Sequence, residues 1–257
     1  MIVFAGPSIA GIDPALTDGF DLRPPAQQGD VFLAALDQPL VIGIIDGYFE
    51  GVPSVWHKEI LWALSRGIAV CGASSMGALR AAELDSFGMR GTGEIYAAYR
   101  DGVLEDDDEV ALLHGPAELG YPGLSLAMVN VRATVDAART DGIVTSRQAG
   151  LLKDVAKSQF YKSRTWHSIL AEINIQDLPK DANTALRSWL GENEVDQKKL
   201  DAADLLTQLS DGAFSSSSVD FHFEETDLWI TATHTWRRRR HTEPETERAG
   251  YSLLGGL

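Results

Sequence analysis

Cysteine is almost missing from this chain: its 257 residues include one, Cys71. A single thiol forms no internal disulfide framework, and no CxxC zinc site can be built from it. Positive charge is also scarce. Twenty-two Lys and Arg stand against 37 Asp and Glu, a formal net charge of −15. That balance argues against non-specific binding to nucleic acid or anionic lipid, which needs clustered Lys and Arg. No apolar run approaches the roughly 18 residues that cross a bilayer. The opening MIVFAGPSIAG has no basic n-region and too short an apolar run for a signal peptide. A soluble cytoplasmic protein, off the membrane, is the expectation. What is present is ordinary for a globular chain: 44% hydrophobic and 23% charged residues, enough to bury a sizeable core.

The first part alternates strands and helices. Ile2-Val3-Phe4-Ala5 is a short apolar run closed by Gly6-Pro7, and a helix is expected over 29–36. Val41-Ile42-Gly43-Ile44-Ile45 and Ile68-Ala69-Val70-Cys71 lack polar alternation, so they predict strands covered on both faces, as in a parallel sheet. Pro53 suits a helix start, and a further helix is predicted from Met76 to Phe87, capped by Gly88. The β-α-β-α-β-α order predicts an α/β fold, a mainly parallel Rossmann-like sheet followed by a helical C-terminal region. Helices are expected over 124–141, from Thr145 (a capping box with Gln148) to Ser158, and near 165–173, 182–190 and 195–209. The divisions expected are an α/β core at 1–140, a helical region at 141–212 and a tail of uncertain structure at 213–257. Within the tail, the arginine run 237–240 is expected to be a charge counterweight on a mobile segment.

Three predicted strands end in polar or glycine-rich turns: Gly6-Pro7-Ser8, Asp46-Gly47-Tyr48-Phe49-Glu50, and Gly72-Ala73-Ser74-Ser75-Met76-Gly77. The carboxyl ends of a parallel sheet lie along one edge, so these turns should converge on one site. The stretch from Ala73 to Gly77 has the shape of a nucleophile elbow, with small residues around a serine at a strand-to-helix turn. Ser75 fits the nucleophile position, with free N–H groups of the helix start as oxyanion donors. Ser74 is then a helix cap or a substrate contact. A serine needs a base, and His57 or His114 could supply it, with Asp46 to orient the imidazole. Gly6, Ser8, Gly47, Glu50, Lys58, Met76 and Arg80 complete the expected substrate-binding set. Arg80 and Glu83 lie one helical turn apart and could equally form an ion pair. Residues 105–109 are consecutive acids without metal-loop spacing, so they are expected as a solvated loop, and neither a metal nor another cofactor is expected. Cys71 is expected to be a buried apolar residue; the sharper alternative is a persulfide carrier.

At Ile44-Ile45-Asp46-Gly47-Tyr48-Phe49-Glu50, at Val55-Trp56-His57-Lys58-Glu59-Ile60 and from Gly72 through Leu84, the chain resembles the TfuA family, named from trifolitoxin biosynthesis. The likeness continues through Phe87-Gly88-Met89, Asp108-Glu109-Val110-Ala111, His114-Gly115 and Asn130-Val131-Arg132-Ala133-Thr134, and covers roughly residues 1–140. The resemblance implies work beside a YcaO enzyme, which uses ATP to activate a backbone amide oxygen so that sulfur can replace it. It further implies a ubiquitin-like sulfur-carrier protein, ending in a Gly-Gly thiocarboxylate, as the sulfur source, with the precursor peptide an indirect partner. Release of sulfide from such a thiocarboxylate is acyl transfer, the chemistry expected of the Ser75 turn, with a groove leading to it. The alternative is a non-catalytic adaptor that docks on YcaO and positions the donor.

Overall fold

The computed structural model describes residues 1–173, 176–215 and 220–242, with side chains through 239. Its contacts divide into two compact units. Unit 1 comprises 1–105, 116–122 and the chain from 199 onward; unit 2 comprises 106–115 and 123–198.

Unit 1 is built on a five-stranded parallel sheet of β1 (Ile2–Phe4), β2 (Asp21–Arg23), β3 (Val41–Ile44), β4 (Ala69–Ala73) and β5 (Arg90–Thr92), in the order β2-β1-β3-β4-β5. The three strands expected from their apolar runs are its centre. The strands β1, β3 and β4 are buried along their whole length, as two-sided cover requires. The sequence reading missed β2 and β5. They are three-residue edge strands, exposed at Asp21, Leu22 and Arg90, without an apolar run to announce them. An edge strand covered on fewer sides carries a weaker pattern.

One face of the sheet packs Val3, Val41, Ile45, Ala69, Cys71 and Ala73 against Leu205, Leu206 and Leu209 of α9 (Gln197–Ser210). The other receives α1 (Asp30–Ala35), α2 (His57–Ser65) and α3 (Met76–Leu84). The start expected at Pro53 is late by a turn: Trp56 is the cap of α2, and Glu59 accepts its backbone N–H. α3 lies unusually close to the sheet. A Cβ on Gly77 would stand 1.7 Å from the Ile44 carbonyl oxygen, and one on Gly72 would stand 2.1 Å from that of Gly77. Only glycine permits that approach.

After α4 (Glu94–Arg100) the chain enters unit 2, where α5 (Met128–Thr140), α6 (Ser146–Ser158), α7 (Trp166–Glu172) and α8 (Lys180–Asn193) follow. Met128, Val131, Val135, Leu152, Ile169 and Leu186 form their shared core. The Thr145–Gln148 capping box is present. The loop expected to be solvated is so only in part: Glu105, Asp106 and Asp107 are exposed, but Glu109 is buried, Arg132 donates to it at 2.9 and 2.8 Å, and Lys157 lies 3.0 Å away. Lys157 also binds Asp106 and Asp108, and the buried Arg164 reaches Asp108 at 3.3 Å. Cations distant in sequence draw the acids in, which no local pattern reveals.

The tail also departs from expectation. Residues Asp227–Thr242 form a helix, α10, in unit 1. Its Trp229 and Trp236 are buried against Phe32, Trp56 and Trp62. The described part of the arginine run therefore lies on a packed helix and not on a mobile segment. The sequence reads the serines 215–218 as a flexible break; of these, 216–218 lie outside the described residues.

Candidate functional site

The sheet order reverses at β1: β2 lies on one side and β3 on the other. Ligands of such sheets bind at the carboxyl ends where the order switches. Gly6 and Ser8 follow β1, Asp46 follows β3, and Ser74 follows β4, so three adjacent strands deliver them to one edge.

The side chains there form one hydrogen-bonded chain. The Asp46 carboxylate is buried and accepts the N–H groups of Gly6 (2.8 Å) and Ser8 (3.0 Å) and the Ser8 hydroxyl (2.7 Å). The Ser74 hydroxyl donates to the Ser8 hydroxyl at 2.9 Å. Both hydroxyl protons thus point toward Asp46. Ser74 has a φ of +68°, and the Ser75 N–H returns to the Ala73 carbonyl at 2.8 Å. This three-residue turn is rare and strained for a residue with a Cβ. It reverses the chain between β4 and α3 and leaves Ser75, 7% exposed, at the cap position of α3. The Ser75 side chain makes no capping hydrogen bond. Ser74 is not the cap either, since it sits one residue earlier with its hydroxyl turned to Ser8.

The other expected residues divide. Gly47 lies beside Met76, where a Cβ would meet the Met76 side chain at 2.8 Å. Glu50, exposed, takes a φ of +62° in the same loop. His57 is held elsewhere. Its Nε2 is 2.7 Å from Glu83, which also accepts from Arg80 at 2.6 Å. Those partners hold the Glu83 carboxyl below its ordinary range against the opposing effect of burial. Glu83 is eight residues past Ser75 on α3, about 12 Å at the rise of a helix. The structure therefore does not bring His57 to Ser75. Arg80 is buried and donates to the Val55 carbonyl at 3.0 Å, so it ties the loop before α2 to α3. Lys58 donates to Thr226 at 3.2 Å. His114 belongs to unit 2, where its Nδ1–H donates to the Gly115 carbonyl at 2.8 Å.

Two residues near Asp46 were not foreseen. Tyr48, two residues beyond Asp46, and Tyr121 share a hydrogen bond between hydroxyls, and burial pushes both phenols above their ordinary range. Tyr121 has a φ of +55°, and its ring lies near Gly6. Tyr48 stands inside an expected turn and was legible there; Tyr121, after Gly120, carried no such signal. Cys71 is wholly buried, and burial raises its thiol far above the ordinary range, so no surface thiolate is present for a persulfide. Among the described residues no group of three or more His, Cys, Asp or Glu could hold a metal. None of the described helices is long and apolar enough to cross a membrane.

Fold and site together define an α/β protein with a polar hydrogen-bonded site at the switch point of a parallel sheet. The family model described as TfuA-like protein matches residues 46–165 and supports the TfuA resemblance over that stretch. The match takes in Asp46, the Ser74-Ser75 turn, both candidate histidines and Tyr121. No curated protein matches the chain.

Proposed function

We propose that this protein works in the cytoplasm beside a YcaO enzyme in peptide-backbone thioamidation, and that it releases sulfur from a thiocarboxylated, ubiquitin-like carrier protein through Ser75. The precursor peptide is then a partner only through YcaO. The observation that carries this reading is the left-handed turn at Ser74. It supports a nucleophile role for the next residue, whose hydroxyl is not spent on capping α3. The Asp46–Ser8–Ser74 chain fixes the turn from one side. The N–H of Met76, first in α3, makes no backbone hydrogen bond among the described residues and suits an oxyanion.

In the proposed step the Ser75 Oγ bonds to the thiocarboxylate carbon. The carbon–sulfur bond breaks, and the sulfur leaves with the serine proton as hydrosulfide. Water then cleaves the ester and returns Ser75 and the carrier carboxylate. The adaptor reading keeps the same partners without this chemistry. It is favoured by the imidazole of His57 being held on Glu83 and by the small exposure of Ser75.

The experiment is mass spectrometry of the thiocarboxylated carrier incubated with this protein alone. Conversion to the carboxylate with release of sulfide supports the hydrolase; an unchanged thiocarboxylate supports the adaptor.

A further inference from the structure

Unit 1 also contains a cavity of about 840 Å³, and it is not at the carboxyl edge. Leu40 and Ile68, which line it, immediately precede β3 and β4, so it lies at the opposite, amino edge of the sheet. Leu36, Pro39 and Phe214 add apolar wall, and Leu40 is left 82% exposed at the lip. A cavity of this size falls within the range of small-molecule sites, roughly 300–1,000 Å³.

Its charged groups are of one sign, beside the neutral Gln38 and Ser215. Arg66 and Arg237 both line it, and neither forms an ion pair among the described residues, in a chain whose net charge is −15. Each guanidinium is instead laid over an aromatic ring: Arg66 is 5.1 Å from the centre of Trp62, and Arg237 is 5.4 Å from that of Phe32. The two rings are themselves neighbours, with centroids 4.7 Å apart and both side chains buried. A buried aromatic pair thus holds two cations at one cavity. Stacking leaves the planar edges of a guanidinium, which carry its N–H groups, available for an anion. It also restricts two long side chains before any ligand arrives, which lowers the entropy lost on binding.

We infer that this cavity is a second ligand site, for a small amphipathic anion with an apolar body and one carboxylate or phosphate group. The apolar wall takes the body, and Arg66 and Arg237 take the headgroup. The site stands apart from the carboxyl edge and goes beyond the sulfur chemistry proposed there; it uses neither Ser75 nor the carrier protein.

Isothermal titration of the full chain tests it, with octanoate, octyl phosphate, octanol and inorganic phosphate as probes. At least one of the first two should bind saturably at one site per chain, and the ratio of their affinities separates a carboxylate from a phosphate headgroup. Octanol and inorganic phosphate, each lacking half of the ligand, should bind at least tenfold more weakly. Arg66→Gln and Arg237→Gln should each weaken binding by about tenfold, as the loss of a charge-assisted hydrogen bond does. Arg237 lies on α10, so Arg66→Gln, at the exposed end of α2, remains decisive if Arg237→Gln unfolds. The inference is overturned if neither anion binds saturably, if octanol binds as tightly as the anions, or if Arg66→Gln binds like the parent.

Discussion

Asp46 in unit 1 and Glu109 in unit 2 are both shut away from solvent, yet they are held by opposite means. Glu109 meets cations: two bonds from Arg132, and Lys157 at 3.0 Å. Asp46 meets only neutral donors, two backbone N–H groups and a hydroxyl, and no Lys or Arg pairs with it among the described residues. A buried carboxylate matched by cations is cancelled where it stands, and removal of one partner is costly. A carboxylate matched by dipoles keeps its negative charge and directs neighbouring protons toward itself, as the Ser8 and Ser74 hydroxyls show. The first arrangement fastens a loop to a helix bundle. The second keeps a charge at the strand ends, where chemistry can use it.

That contrast breaks most sharply at Ser75. If the carboxyl edge is the chemical one, Ser75→Ala should lower sulfide release by orders of magnitude, because the proposed nucleophile itself is lost. The thermal unfolding midpoint should stay near that of the parent, because the Ser75 side chain caps nothing. Sulfide release at the parent rate would remove Ser75 from the mechanism.

Stability measurements sharpen the comparison from the other side. Lys157→Met strips a cation from Glu109, Asp108 and Asp106 together and should cost about 3 kcal/mol in urea unfolding. Asp46→Asn keeps an acceptor for the two N–H groups and should cost about 2 kcal/mol, the difference between hydrogen bonds to charged and neutral oxygen. Reversal of that order would show that cations do not hold Glu109 more firmly than dipoles hold Asp46.

Glu59 is a third case, a buried carboxylate between α1 and α2. It accepts from the backbone of Phe32 at 3.3 Å and Trp56 at 3.1 Å, yet burial outweighs these donors and raises its pKa from 4.5 to about 7. Across that interval the folded protein binds the proton that the unfolded chain releases. The stability gained by keeping Glu59 neutral is therefore full below pH 4.5 and is lost as pH rises to about 7, in all about 3 kcal/mol. Glu59→Gln should flatten that fall, and unfolding of both proteins at pH 5 and pH 8 reads it out. Equal slopes would mean that Glu59 does not titrate in this window. The smallest effect belongs to Ser74→Ala, which removes one hydroxyl bond to Ser8 and should cost about 1 kcal/mol while sulfide release continues.

Much of the carboxyl edge was legible because a parallel sheet converts sequence order into place. Apolar runs marked β1, β3 and β4, and the turns after them named Gly6, Ser8, Asp46 and Ser74 before any contact was known. The histidines were not legible in this way. The partner of His57 is Glu83 on another helix, and a ring nitrogen pairs with whichever group packing brings near. The same holds for Tyr121, which reaches the site from a loop 75 residues beyond Asp46.

The sequence by itself determined the α/β class, the central strands, the strand-to-helix turn at Ser74 and Ser75, and the resemblance that the family match over 46–165 supports. These are local or periodic properties: a run of β-branched residues, a glycine where backbones touch, a serine pair between strand and helix. Only the tertiary structure decided that Asp46 is satisfied by dipoles, Glu109 by cations and His57 by Glu83, and that Arg66 and Arg237 stack on adjoining rings at one cavity. Apart from Arg66 on Trp62, one helical turn away, those pairings join residues far apart in the chain. Their free energy comes from desolvation and geometry, which exist only once the backbone has closed around them.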